Sequence, residues 1–118
     1  MKRPGKQEYA PFYEPYIRMI PPRKSIRTLL KSGMDAAKKC FGHLSEDQGN
    51  MRYAPDKWTT KELLVHMIDT ERVFAHRILW FMRGDRVALP GFHQDLWMEH
   101  VRVEHRTIKD LLREWKVV

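Results

Sequence analysis

Six histidines, fifteen acidic side chains and one cysteine are the residues of this 118-residue chain suited to bind metals, move protons or attack an electrophile. Their spacing narrows the list. His66 shares a helical segment with Glu62 and Asp69 at the border between an apolar and a polar face. An imidazole placed there is either a boundary group satisfied by Glu62 or Asp69, or a metal ligand looking into a cleft. Glu71 falls among Leu64, Met67, Phe74, Ile78 and Met82 when successive residues are set about 100° apart, and a carboxylate in that position needs a counter-charge or hydrogen bonds. An arginine partner, Arg102 or Arg106, would make it a buried ion pair; otherwise it is a ligand or a base. Glu104 lies in a similar way among Trp97, Val101, Ile108 and Leu111.

Several chemistries are excluded by spacing. His76, His93, His100 and His105 make no His-x-x-x-His pair, and no Glu-x-x-His occurs, so the zinc-protease helix and the di-iron bundle motif are absent. His43, at the end of a helical stretch, compensates the helix dipole. Cys40, on the apolar side of that stretch, reads as an inert core thiol. A lone cysteine excludes both an intramolecular disulfide and a cysteine-based zinc cluster.

The elements that must position these residues are helical. Apolar residues at Ile26, Leu29, Leu30, Met34, Ala37, Phe41 and Leu44 predict a first helix over 25–44. Gly49, Asn50 and Pro55 predict a loop over 45–58. Thr59 and Glu62 form a capping box, with Trp58 and Leu63 as its hydrophobic staple, and the apolar spacing that follows predicts a second helix over 59–83. Gly84 stops it, so Arg83-Gly84-Asp85 is a helix terminus and not an adhesion signal. Leu96, Trp97, Val101, Ile108, Leu111, Leu112 and Trp115 predict a third helix over 94–116. Residues 1–24 hold five of the seven prolines among Tyr9, Phe12, Tyr13 and Tyr16, which predicts an extended arm whose aromatics pack along the bundle. The fold class is all-α, an up-and-down bundle over 25–118 preceded by that arm.

Composition bounds the rest. A chain of 118 residues builds one modest domain. No apolar run approaches the ~20 residues that span a bilayer, and no export signal follows Met1, so a cytoplasmic protein without a membrane partner is expected. The net charge of +7 suits an anionic partner, but the basic residues are scattered and no Lys/Arg run marks a phosphate-binding stripe, which argues against nucleic acid.

The runs Tyr53-Ala54-Pro55-Asp56-Lys57-Trp58-Thr59, Glu62 to Arg72, Arg83-Gly84-Asp85 and Leu89-Pro90-Gly91-Phe92 together resemble the DinB superfamily, in its DinB-like and YfiT-like branch. The resemblance implies a four-helix bundle with a metal site, and metal-dependent hydrolysis or transfer that uses low-molecular-weight thiols. It implies His66 as a metal ligand and Trp58 as a structural residue; by the count of available donors Asp69, Glu71 and His100 are possible helpers of His66, and Thr59, Glu62 and Glu71 read as structural from the capping box and the helix face. Two further histidines of the family lie on a fourth helix that nothing here matches. The expectation is therefore a bundle without that helix, binding zinc or nickel weakly, impaired as an enzyme, and self-associating through the open seam. A non-enzymatic helical interaction module is the alternative.

Overall fold

The computed structural model describes residues 3–118, which form helices joined by turns and loops, without strands. The chain divides into two compact units, Met1–Ala36 and Ala37–Val118.

The first unit is not extended throughout. A 3-10 turn at Pro11–Tyr13 leads into α1, Glu14–Met19. Both have a proline within their first two positions, where its missing N–H costs nothing. Glu14 and Arg18 pair one turn apart at 2.7 Å and oppose the dipole of this short helix at its two ends. Ile20 returns to extended backbone, and Pro21-Pro22 prevent continuation. Phe12 keeps 71% of its surface and Tyr16 59%, whereas Tyr9 is half-buried. The Phe12 ring lies edge-on to Tyr13 at 5.3 Å.

Helix α2 spans Ile26–Phe41, shorter than the predicted 25–44. Ser25 Oγ accepts the Thr28 N–H at 3.1 Å and supplies the cap. Ala37 is its buried residue, whereas Cys40 is exposed and so is not the core thiol the sequence suggested.

In the second unit, a short helix α3, Glu46–Asn50, occupies part of the predicted loop. It starts on a capping box: Ser45 Oγ accepts the Gln48 N–H at 3.2 Å, and Gln48 Oε1 accepts the Ser45 N–H at 2.9 Å. Helix α4, Thr60–Met82, matches the prediction closely. The Glu62 N–H donates to Thr59 Oγ1 at 3.2 Å, and the Thr59 N–H donates to Glu62 Oε2 at 2.6 Å. Gly84, at φ 72°, reverses the chain in the left-handed region that a β-carbon disfavours.

The predicted third helix is two helices: α5 at Gln94–Met98 and α6 at Ile108–Val117. Between them the chain turns, with Met98 and Val103 buried. Arg102 donates to the Glu99 and Val101 carbonyls at 3.0 and 2.9 Å, satisfying acceptors that a continuous helix would have used. Thr107 opens α6, its Oγ1 accepting the Asp110 N–H at 3.1 Å. Glu104 lies exposed in the intervening turn.

The core lies between α4 and α6. Leu64, Ile68, Ile108 and Leu111 are buried, with Phe41, Leu44, Leu112 and Trp115 packed against them. Burying a side chain of this kind contributes about 1.5–3 kcal/mol. Among the described residues no helix is long and apolar enough to cross a membrane.

Candidate functional site

His66 sits in the second turn of α4, where the capping box at Thr59 fixes the helix start and so its height. Its half-buried ring packs on Trp58, with centroids 4.9 Å apart and planes inclined by 51°. Neither acidic neighbour satisfies it as the sequence suggested. Glu62 is engaged in the cap, with Arg52 at 4.0 Å, and Asp69 accepts from Arg72 at 3.5 Å. The indole face is the partner that spacing along the helix did not reveal.

The other candidate ligands are not gathered around it. His100 is exposed in the turn after α5. Glu71 is half-buried, not buried, and its carboxylate takes part in no ion pair or hydrogen bond among the described residues. Its expected donors are engaged elsewhere, because Arg106 pairs with Glu114 and Arg102 with backbone carbonyls. Among the described residues no three His, Cys, Asp or Glu side chains come together to hold a metal ion.

Trp58 and Leu63, the staple pair, both line a cavity of about 600 Å³ beside the α4 N-terminus. Leu44, Met51 and Tyr53 extend its apolar lining, and Arg52, Lys57, Asp56 and Asp95 bring charges of both signs. This volume suits a small organic ligand. His66 reaches the cavity through the indole it packs against and does not itself line it.

Two ion-pair clusters hold the surrounding helices. Lys61 is only 3% exposed, and its Nζ lies 2.8 Å from Glu46 Oε2. The other Glu46 oxygen accepts the Ile108 N–H at 3.1 Å, so one carboxylate ties α3 to the starts of α4 and α6. The Lys61 hydrogen bond, helped by that of Ile108, holds the Glu46 carboxyl below its ordinary value. Gly49 permits the arrangement, since a β-carbon there would come within 2.8 Å of Ile108 Cδ1. The sequence reading missed this cluster. Its signal was Lys61 lying three residues before Leu64 and seven before Ile68, on the buried stripe.

The second cluster lies on Glu114, which accepts from Arg72 of α4 and from Arg106. Arg106 is the larger cause, and Arg72 adds to it, of a Glu114 carboxyl held below its usual value. Farther along α4, Arg77 donates to the Pro90 carbonyl at 3.1 Å and lies over the Phe74 and Phe92 rings. The Leu89-to-Phe92 run is thus fastened to the helix.

Comparison with curated proteins and with solved structures finds no match to either. A family model, that of the DinB superfamily, matches residues 29–118. With most of the chain covered by that match and the all-helical architecture in agreement with it, this protein belongs to the DinB superfamily.

Proposed function

We propose that this chain is a DinB-superfamily scaffold of the metal-dependent hydrolase and thiol-dependent transferase class, with little catalytic capacity by itself. The superfamily is generally metal-associated. The described residues do not fit a metal centre: the His66 ring lies tilted against Trp58, Asp69 is paired with Arg72, and no three donors come together. One imidazole supplies one of the three protein ligands that a catalytic zinc requires. No reaction step through a metal follows from these side chains. What the chain offers a small substrate is the apolar cavity at Trp58 and Leu63, with cations and carboxylates on its lining. The observation carrying this reading is the position of His66, which stands beside that cavity without companion ligands.

The reading is tested by turnover of model esters and of electrophiles offered with small thiols, in buffer containing zinc or nickel. Rates at background, unchanged by His66→Ala, are expected. A clear rate abolished by His66→Ala would overturn the proposal.

The exposed apolar side of α4 favours a second reading, a helical interaction module. Phe74, Ile78 and Phe81 are 49%, 57% and 70% exposed, more than a solvated helix face usually offers.

A further inference from the structure

The first unit carries two short apolar faces that its own residues leave bare. Along the arm, Phe12, Tyr16 and Met19 recur at intervals of four and three, and Met19 is 80% exposed. At the start of α2, Ile26 and Leu30 lie one turn apart and are 47% and 62% exposed. Cations accompany both faces. Arg23 and Lys24 stand in the link between α1 and α2, and Arg27 and Lys31 follow Ile26 and Leu30 by one position each, which puts them along one edge of that face. All four are exposed and make no ion pair among the described residues. From Pro15 to Met34 the sequence holds no acidic residue.

Charge selects what this surface meets. Residues 1–36 hold eight basic and three acidic side chains, a net +5, and the remainder holds 14 and 12, a net +2. Neither the second unit, at +2, nor another copy of the chain, at +7, complements that charge, so the partner is external and anionic. Single-stranded nucleic acid would stack its bases on Phe12 and Tyr16, but it offers nothing to Met19, Ile26 and Leu30. A bilayer interface takes both kinds: aliphatic side chains enter the acyl boundary, tyrosines settle at headgroup depth, and long cationic side chains reach back to the phosphates. A membrane is also a broad plane, which does not require the two segments to be held at one fixed angle.

We propose that residues 12–31 form a peripheral membrane-binding surface that lies in the interface of an anionic bilayer, with the exposed apolar side chains immersed and Arg23, Lys24, Arg27 and Lys31 on the lipid phosphates. The absence of a helix long and apolar enough to cross a membrane concerns spanning, which this mode does not need. Two weak signals act together here, shallow apolar contact and a cluster of cations, as stable reversible anchoring requires. The inference is independent of the cavity at Trp58 and of the α4 face.

The test is co-sedimentation of the full chain with phosphatidylcholine vesicles, with and without phosphatidylserine. Binding to the anionic vesicles is expected, at least about tenfold weaker without phosphatidylserine. Phe12→Ser/Met19→Ser/Leu30→Ser changes exposed positions only, and Arg23→Gln/Lys24→Gln/Arg27→Gln/Lys31→Gln keeps every apolar residue. Each set is expected to weaken binding at least about tenfold, with the helical circular dichroism retained; should one set fail to fold, the other decides. Phe74→Ser/Ile78→Ser, on α4, is expected to leave vesicle binding unchanged. A wild type that ignores anionic vesicles overturns the proposal, and so does binding that survives the serine set, which would be attraction by charge alone. Loss of binding in the α4 variant would move the surface elsewhere and overturn it as well. Tighter binding of oligothymidylate than of vesicles, lost in the glutamine set, would assign the surface to nucleic acid instead.

Discussion

At the scale of single residues, the side chains that organise this protein are those that satisfy one another across helices. Lys61, Glu46 and the Ile108 amide form one such set; Glu114, Arg72 and Arg106 form another. Gly49→Ala is expected to destabilise the fold by about 1–3 kcal/mol, because its β-carbon meets Ile108 at 2.8 Å; chemical denaturation measures it. Both Glu46 and Glu114 have folded pKa values below the ordinary 4.5. Each therefore contributes stability that is present above the unfolded value and lost as pH falls through the folded one. The melting temperature should hold steady from neutrality to about pH 5 and fall on further acidification. Glu114→Gln should flatten that fall, and an unchanged acid slope in the variant would count against the cluster. The sequence displayed Lys61 on the buried stripe but not its partner, since Glu46 lies on a separate helix. Glu71 misled for a related reason: helical angle places a residue on a face, and exposure is decided by what covers that face.

At the scale of elements, legibility followed the cap signals. Thr59 with Glu62 located α4 to within a residue, and Gly84 located its end. The same grammar was present at Ser45 with Gln48 and at Thr107 with Asp110, where it marked α3 and the start of α6. Apolar periodicity overrode it at Thr107, because Val101 and Ile108 lie seven apart and read as one continuous stripe. The turn between them buries Val103, which belongs to neither helical face. Thr59→Ala removes a side-chain acceptor from the first turn of α4 and is expected to cost about 1 kcal/mol, read as a lower denaturation midpoint with an unchanged slope. Leu64→Ala opens the α4–α6 core and is expected to cost about 2–5 kcal/mol. A Leu64→Ala loss no larger than that of Thr59→Ala would contradict the placement of the core.

For the whole molecule, family and architecture were legible and the chemistry was not. The motif around Trp58, the spacing through His66 and the Leu89-to-Phe92 run pointed to the superfamily that the match over residues 29–118 supports. A metal site depends on donors brought together from several elements, and among the described residues no two further donors join His66, whose ring packs on an indole. The most direct measurement is elemental analysis of the chain after loading with zinc or nickel and exhaustive dialysis, beside a His66→Ala control. The account predicts far less than one metal ion per chain and no difference between the two proteins. One tightly held ion per chain, absent from the His66→Ala control, would contradict it.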